Sequence, residues 1–556
     1  MVPAQADDPA PFHPLGTVAV GLVRRADDTN KASLRRSLSQ PWRYVAMLAG
    51  ALPVFAFPGT DWEFLAWFGL VPMILILRAA PTAREGAVRG WWAGAGYLLA
   101  ALYWLIPNIG PALLGVAVVL GAPWAGFGYA AWHLLRPRSG TGGHPVGRAL
   151  AAMVVLPSIW VVIELIRSWH PIGGPWAVLG ATQWQHPVVL SLAALGGIWL
   201  ISFVLVLANT GLAIAITDPR PVIRMTGALG TLLTVASGPV TFALLPDPPP
   251  AIAGTGRAGQ ITIALVQPGL PRGAAQNVAE EERLTRQAHN ASLVVWGESS
   301  VAYDLGRDPS LVTQLAHLAA TAPLLVSTDS LNATGQKSKT AVLIGPNGVD
   351  GTYVKTRLVP FGEYIPFRSL LGWLTKISRA APQNMISGTG AKVLATRLAD
   401  GRALPFGVLI CFESAFPDMS RVDADRGAQI IIYQTSDATF QASWAPEQHA
   451  SMAAVRAVET GRPAVQAALT GDSAAFDARG RLLAWADTHF RGVTYARVTP
   501  TASQYRTPFD RFGDYVPWLS VAAIAIALTY RLTRREQEPG GRSPDLRGHA
   551  TTGADR

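Results

Sequence analysis

The sequence is poor in cysteine and in charged residues. Cys411 is the one cysteine among 556 residues, so a disulfide within the chain is excluded. Charged residues make up 15% of the chain, against about 25% in typical soluble domains. Half of all residues are hydrophobic. This balance is typical of a membrane protein.

The sequence also lacks the patterns of a metal, dinucleotide or nucleic-acid site. The 10 histidines and the cysteine stand at no metal-ligand spacing, so we predict no metal and no cofactor. Gly254, Gly256 and Gly259 have dinucleotide-fingerprint spacing, but they precede a predicted strand instead of following one. The net charge is +10, yet most basic residues lie in short loops between apolar runs. This pattern favours contact with anionic lipid headgroups over nucleic acid.

Apolar runs dominate the first half of the chain. Runs near 20 residues predict membrane-spanning segments, and these should be helices because the backbone must satisfy its own hydrogen bonds in lipid. We predict eight such helices, seven before a polar region and one after it. The first is short and interrupted by proline. Their bounds are 43–58, 62–80, 91–108, 111–135, 149–168, 187–217, 222–245 and 515–532.

Loop charge predicts how the helices are oriented. Arginines are concentrated in alternate loops and near both termini, and the positive-inside rule places such loops in the cytoplasm. Both termini are then cytoplasmic, and the polar region lies outside. The predicted divisions are a disordered arm (1–41), a seven-helix membrane domain (42–246), a linker (247–259), an α/β domain (260–505), a final membrane helix (506–535) and a disordered tail (536–556).

Three chemically reactive side chains each follow a strand-like run of the α/β region. Cys411 ends the run PFGVLI, Glu298 follows SLVVW, and Lys355 closes GTYVK. A thiol at a strand end just before a helix is well placed as a nucleophile, because helix amides stabilise the thiolate. A carboxylate base and a cation would complete an activated thiol. The alternatives are a small buried cysteine and charged residues in solvated loops.

These contexts resemble a known family. WGES, YVKTRLVPFGEYIP and LICFES are similar to the Glu-Lys-Cys triad segments of the nitrilase, or carbon-nitrogen hydrolase, superfamily. LVPFGEYIPFR is more similar still to its membrane-bound apolipoprotein N-acyltransferase branch. The resemblance implies an α-β-β-α sandwich on the outer face of the bacterial inner membrane. It also implies a phospholipid acyl donor and, as acceptor, the α-amino group of a diacylglyceryl-modified apolipoprotein cysteine.

The resemblance implies a role for each site residue. Glu298 is the general base, Cys411 forms a thioester, and Lys355 stabilises the oxyanion together with the backbone N–H of Phe412. Glu363 and Glu413 orient Lys355 and the incoming amine, with structural loop carboxylates as the alternative. A lipid-facing flap over 364–388, carrying Leu370, Leu371, Trp373 and Leu374, is weighed against ordinary loop packing.

Besides the lack of a Trp after LVQPGLP, two segments depart from the family pattern. Ser436 to Phe440 replaces the usual Asn-Asp-x-Trp-Phe, and Leu469 to Asp472 replaces Thr-Asn-x-Gly. Both departures bear on lipid or acceptor specificity, and they keep a weakly active paralogue open. The helix with Glu447, His449, Arg456 and Glu459 is similar to a family segment and is interpreted as packing and as support behind the site residues, with a solvated helix face as the alternative.

Two other functions remain open from the sequence. One is a membrane-tethered amidase or nitrile hydrolase with the same triad. The other is a scaffold or transporter, although the spans lack the charged residues of a transport path. Glu164 and Arg167, three residues apart, are predicted to form an ion pair at the membrane surface.

Overall fold

The computed structural model describes residues 41–136, 145–251, 259–270, 273–376, 381–398 and 401–537. The predicted arm and tail lie outside these ranges, except for Pro41, Glu536 and Gln537, which belong to helices. Part of the predicted linker, with Gly254 and Gly256, also lies outside them.

Helices form the region before the first strand. They are α1 (Pro41–Ala51), α2 (Val71–Arg78), α3 (Ala83–Ala101), α4 (Ile106–Ile109), α5 (Ala112–Gly121), α6 (Trp124–Leu135), α7 (Pro145–Arg167), α8 (Pro187–Thr217) and α9 (Pro221–Leu244). Among the described residues, four helices are long and apolar enough to cross a membrane. They are α7, α8, α9 and a helix that begins at Tyr515 near the end of the chain.

The predicted count of eight spanning helices is wrong. The pair α5 and α6, bent by 41°, adds at most a fifth span in the described part of the chain. The first predicted span is the 11-residue α1 followed by a 3₁₀ turn, Leu52–Ala56. Pro53 in that turn lacks the N–H that an α-helix needs. The second span is another 3₁₀ turn and the eight-residue α2.

The third predicted span fails for a different reason. Thr82 caps the start of α3 by accepting a hydrogen bond from the Glu85 backbone N–H. The helix therefore begins eight residues earlier than the predicted bound of 91 and takes in Arg84, Glu85 and Arg89. Glu85 pairs with Arg89 and with Arg43 of α1, so these charges are neutralised within the helical region.

The predicted α/β class of the second region is confirmed. One six-stranded sheet has the order β12-β1-β2-β3-β4-β5, and the other has the order β11-β10-β9-β8-β7-β6. The strands are β1 (Ile261–Gln267), β2 (Leu293–Trp296), β3 (Leu324–Leu331), β4 (Lys337–Gly345), β5 (Gly348–Val354), β6 (Val393–Arg397), β7 (Ala403–Ile410), β8 (Ile430–Thr435), β9 (Ala464–Ala468), β10 (Ser473–Phe476), β11 (Leu482–Ala486) and β12 (Gly492–Val498).

Helices cover the outer faces of both sheets. Those in this part of the chain are α10 (Ala274–Thr285), α11 (Pro309–Leu318), α12 (Arg368–Leu371), α13 (Pro417–Asp425), α14 (Ala445–Thr460), α15 (Pro508–Phe512) and α16 (Tyr515–Gln537). Helices α10 and α11 pack on the first sheet, and α13 and α14 pack on the second. Because the sheets also pack against each other, the layers run helix, sheet, sheet, helix.

The sheet topology brings the predicted reactive residues to strand ends. β1, β2 and β3 pair in parallel, as do β7, β8 and β9. Glu298 lies two residues beyond β2, and Cys411 directly follows β7. Lys355 directly follows β5. The inner faces of the two sheets share one hydrophobic core with the helices of the first region.

Candidate active site

Cys411 lies in a strained turn at the end of β7. Its φ is +54°, in the left-handed region that costs a non-glycine residue about 1–2 kcal/mol. A 3₁₀ turn, Cys411–Ala415, follows, and α13 begins only at Pro417. The predicted position at a strand end is therefore observed, and the helical segment that follows it directly is a 3₁₀ turn. The thiol sits on a sharp bend at the first residue of this 3₁₀ turn.

Glu413 holds this bend together from within. One carboxylate oxygen, Oε2, accepts a hydrogen bond from the Ile410 N–H at 2.7 Å. The other, Oε1, accepts from the N–H groups of Thr356 and Arg357 at 2.6 and 2.9 Å, and from the Tyr353 hydroxyl at 2.7 Å. Because Thr356 follows Lys355, this buried side chain ties the lysine segment to the cysteine turn.

Glu298 reaches the site because a glycine precedes it. A Cβ on Gly297 would lie 1.9 Å from the Leu469 backbone nitrogen, so a larger residue would push the end of β2 away from β9. The Glu298 N–H donates to the Thr435 carbonyl at 3.0 Å, which fixes its position between the sheets. The glycine of the WGES motif is thus required by close backbone approach.

Lys355 lies between two carboxylates. Its Nζ is 3.1 Å from Glu298 Oε1 and 2.8 Å from Glu363 Oε1, and its side chain is fully buried. Glu363 Oε2 also accepts from the Val359 N–H at 2.8 Å, so the loop after β5 presents this carboxylate. The structure thus brings Glu298, Lys355 and Glu363 into direct contact. Phe412 is buried beside them, with its ring centroid 5.1 Å from that of Phe416.

Burial and neighbouring charges set the protonation of the group. Burial alone would raise the pKa of Glu298, but Lys355 and Lys339 outweigh it, and a hydrogen bond with Cys411 lowers the pKa further. Burial would lower the pKa of Lys355, but Glu298 and Glu363 raise it well above its ordinary value. Burial, reinforced by Glu298, raises the pKa of Cys411 well above its ordinary value. The resting group is therefore carboxylate, ammonium and thiol.

Sequence reasoning missed Lys339. Its Nζ lies 2.8 Å from Asp329 Oδ1 and also contacts the Ser299 hydroxyl, next to Glu298. The period of β4 could have found it, because alternate residues of a strand share a face. Lys339, Ala341 and Leu343 are alternate residues of β4 and so share one face of the strand. Ala341 and Leu343 belong to the core shared between the sheets. A lysine on that inner face had to find a carboxylate partner.

His449, interpreted from the sequence as packing and as support behind the site residues, lies beside the site. Its Nδ1 is 2.9 Å from Asp437 Oδ1 and 3.1 Å from Thr435 Oγ1. Burial lowers the pKa of His449, but Asp437 and the Cys411 backbone outweigh burial, so the pKa is raised. Asp437 belongs to one segment that departs from the family pattern. In the same segment, Phe440 packs on Trp104 of the helical region at 4.9 Å between centroids.

The second departing segment touches the first. A Cβ on Gly471 would lie 2.5 Å from Asp437 Oδ2, and the φ of Gly471 is +115°. The Asp437 N–H donates to the Thr470 carbonyl at 2.8 Å. The two departures thus form one contact beside His449.

A loop of the helical region forms a wall of the site. A Cβ on Gly174 would lie 2.7 Å from the Phe416 ring and 2.8 Å from the Phe412 ring. Trp176 donates from Nε1 to Gln448 Oε1 at 2.9 Å, and its ring lies 5.6 Å from that of His449. The loop after α7 is therefore in contact with the residue that follows Cys411.

The predicted surface ion pair of Glu164 and Arg167 is wrong, and both residues hold this loop instead. Glu164 is 1% exposed, and its Oε1 accepts from Trp160 Nε1 at 2.9 Å and from the Leu179 N–H at 2.8 Å. Arg167 is 5% exposed and donates to the Trp176 carbonyl at 2.7 Å. Each charged group bonds to the loop rather than to the other.

The predicted flap over 364–388 is described only in part. Leu370 and Trp373 are exposed, as a lipid-facing segment requires. Residues 377–380 and the side chain of Leu374 lie outside the described part of the chain. The flap stays a prediction.

Comparison with known proteins agrees with this geometry. Residues 49–211 match the family model of the apolipoprotein N-acyltransferase N-terminal domain, and residues 262–507 match that of the carbon-nitrogen hydrolases. Apolipoprotein N-acyltransferase from Geobacter metallireducens is 30% identical over 521 residues, covering 88% of this chain and 95% of that protein. The enzymes of that name from Azotobacter vinelandii and Sinorhizobium medicae are 29% and 30% identical, covering 91% and 88% of this chain and 97% and 95% of their own. The chain therefore belongs to the apolipoprotein N-acyltransferase family.

Proposed function

We propose that this protein transfers a fatty acyl chain from a phospholipid to the α-amino group of the S-diacylglyceryl cysteine of apolipoproteins. The acyl group is held as a thioester on Cys411 after it leaves the phospholipid and before it reaches the amine, so the reaction is ping-pong. The observation that carries the proposal is the contact of Lys355 with both Glu298 and Glu363 beside the Cys411 turn, in a chain of this family.

Acylation begins with a neutral thiol. Glu298 takes the Cys411 proton as the sulfur attacks the ester carbonyl, which needs a carboxylate within hydrogen-bond reach. The Lys355 ammonium and the Phe412 N–H stabilise the oxyanion. When the ester C–O bond breaks, Glu298 returns the proton to the departing lysophospholipid oxygen, and the thioester remains.

Transfer reverses the proton path. The acceptor amine attacks the thioester carbonyl, and Glu298 takes a proton from the amine. Collapse of the tetrahedral intermediate breaks the C–S bond, and the proton passes to the departing sulfur. The products are an amide and the free thiol. Glu363 and Glu413 position Lys355 and the cysteine turn for both halves of the reaction.

The arrangement of the helical region supports a site at the outer surface of the inner membrane. Arg148 and Arg167 lie near opposite ends of α7, a helix of 23 residues, and Arg167 holds the loop beside Cys411. Arg78, Arg148 and Arg220 line one cavity at the other end. Arginine-rich ends of membrane helices tend to face the cytoplasm, which supports an α/β domain outside and both termini inside. Lipid donor and lipid-anchored acceptor then reach Cys411 from the same leaflet.

Mass spectrometry of the full-length protein in liposomes tests the proposal. With phospholipid carrying an isotope-labelled acyl chain, we expect one labelled acyl adduct on the Cys411 peptide. Adding a diacylglyceryl-cysteinyl peptide should discharge it and yield a triacylated peptide. Cys411→Ala should form no adduct. Adduct formation followed only by release of free fatty acid would support the hydrolase alternative, and absence of any adduct would overturn the proposal.

A further inference from the structure

Helix α8 is broken where it packs against the α/β domain. Within α8, Gly196 and Gly197 have non-helical backbone angles, and the φ of Gly197 is +67°. A Cβ on Gly197 would lie 2.5 Å from the Phe509 ring, so only glycine fits this bend. The break leaves the backbone groups at its two edges without helical partners, and such groups must find other partners in an apolar setting.

Side chains from outside the helix supply those partners. Glu459 Oε1 accepts from the Ile198 N–H at 2.8 Å, at the start of the second half of α8. The Tyr515 hydroxyl donates to the Leu195 carbonyl at 3.2 Å, at the end of the first half. Separately from these backbone contacts, the Trp199 side chain donates from Nε1 to Asp514 Oδ1 at 2.8 Å. Of these partners, Glu459 comes from α14 of the α/β domain, and it is fully buried.

The same helix α14 reaches the active site at its other end. His449, which binds Asp437 beside the Cys411 turn, precedes Glu459 by ten residues. An α-helix rises about 1.5 Å per residue, so these two residues of α14 are separated by about 15 Å along the helix axis. Gln448, next to His449, binds Trp176 of the loop that touches Phe412.

We propose that Glu459 is a positioning residue, whose carboxylate caps the second half of the broken membrane helix and so fixes, through α14, where Cys411 stands relative to the membrane. This inference rests on the proposed function. The hydrogen bond from the Ile198 N–H to Glu459, which we call the clamp, is present in the structure whatever that function is. Loss of this hydrogen bond is expected to affect the two kinds of acyl donor differently. Loss of the cap impairs reaction with donors held in a bilayer more than reaction with donors that diffuse freely.

A competing role for Glu459 is to neutralise Arg456, which its Oε2 contacts. A matched pair of double variants separates the two roles. Arg456→Met with Glu459→Gln removes the ion pair but keeps an oxygen acceptor for the Ile198 N–H. Arg456→Met with Glu459→Met removes both. Asp308→Ala serves as a control, because Asp308 caps α11 through the Leu311 N–H far from this contact.

The variants are compared in nanodiscs by two measurements on the full-length protein. Hydrogen exchange of the peptides covering Leu195–Leu200 and Ala445–Thr460 reports the clamp. Rates of Cys411 acylation by bilayer phospholipid and by a water-soluble short-chain ester report its effect. For the Met/Met variant we expect exchange in both peptides to rise about tenfold over the Met/Gln variant, the effect of losing one buried hydrogen bond. Acylation by phospholipid should fall by a similar factor, and acylation by the soluble ester should not.

Equal exchange in the two double variants would overturn the clamp. An equal fall with both donors would overturn the positioning role, because it would mean that Glu459 only supports the fold. If wild-type protein forms no adduct with either donor, the proposed function fails, while the exchange comparison still decides whether the clamp exists.

Discussion

Two sets of buried charged residues, one beside the Cys411 turn and one holding the loop that touches Phe412, have different kinds of partner. In the α/β domain, Lys355 contacts two carboxylates directly. In the helical region, Glu164 and Arg167 are equally buried, yet each bonds to neutral groups of the loop after α7. Charges that contact each other control each other's protonation, whereas charges bonded to backbone serve as strong hydrogen-bonding groups.

The difference indicates which group does chemistry. A buried charge is costly unless it is paired or hydrogen-bonded. At the strand ends that cost is met by opposite charges, which keep Glu298 ionised where a base is needed. At the helix end it is met by indole and backbone groups, which fix the loop that touches Phe412. The comparison predicts that removing charge is severe in the first group and mild in the second.

Glu298→Gln should have the largest effect. The amide can still accept from Lys355, and Glu363 still neutralises the lysine, so the site keeps its shape. The base is lost, which typically costs about 10²- to 10⁴-fold in rate. The measurement is the rate of acyl adduct formation on Cys411 with a soluble ester.

Glu282→Gln is the control for this change. Glu282 is a buried carboxylate of the same domain, paired with Arg286 on α10 away from Cys411. Its variant should acylate at the wild-type rate. If both substitutions slowed acylation equally, the loss would come from altered stability and the role of Glu298 as base would be wrong.

The local pattern of the sequence was sufficient to predict the strand-end residues. Cys411 and Glu298 each follow an apolar run, and Lys355 closes a β-rich segment; strand ends are fixed by such short-range patterns. Lys339 escaped notice because its strand is polar at one end, and its contact with Asp329 depends on the pairing of β3 with β4. The left-handed bend at Cys411 was also beyond the sequence, because Glu413 holds it through bonds to a distant strand.

The helical region was predicted less well, for a related reason. Hydropathy shows that a run is apolar but not whether it is one straight helix. Pro53 divides the first run, and the break at Gly196 and Gly197 within α8 depends on Phe509 and Glu459, which are distant in the sequence. Glu164 and Arg167 were close in sequence but bind a loop whose path the sequence does not specify.

Substitution of Glu164 tests the prediction that removing charge has a mild effect in the helical region. Glu164→Ala leaves the Leu179 N–H and Trp160 Nε1–H without their acceptor, so we expect a loss of about 1–3 kcal/mol in the free energy of unfolding. Glu164→Gln keeps an acceptor oxygen and should lose less. Denaturation of the detergent-solubilised protein measures both. Glu164→Gln should also acylate with a soluble ester at the wild-type rate, in contrast to Glu298→Gln; a comparable slowing would place Glu164 among the groups that set the chemistry.

The smallest effect is expected from pH. Lys355 and Lys339 hold the pKa of Glu298 below its ordinary value of 4.5 against the effect of burial. The pKa values of Lys355 and Cys411 lie well above their ordinary values of 10.5 and 9.0. Through neutral pH, Glu298 therefore stays ionised, Lys355 stays charged and Cys411 stays a neutral thiol. These three groups should give no change in the rate of acylation by a soluble ester from about pH 6 to pH 8, where a thiolate-dependent enzyme of ordinary thiol pKa would speed up. Despite burial, Asp437 raises the pKa of His449 above its ordinary value of 6.5, so the titration of His449 is a separate contribution to the profile.

Lys339→Met sharpens this test, because it removes one of the two cations that lower the pKa of Glu298. As that pKa rises, protonation of the base begins at higher pH, so the acid limb of the rate profile should move upward while the plateau rate stays near that of wild type. Lys337→Met removes an exposed lysine two residues earlier in the same strand and should leave the limb in place. A rate that climbs through neutral pH in the wild type, or a limb that Lys337→Met moves as far as Lys339→Met does, would mean that Glu298 is not the group whose charge the buried lysines protect.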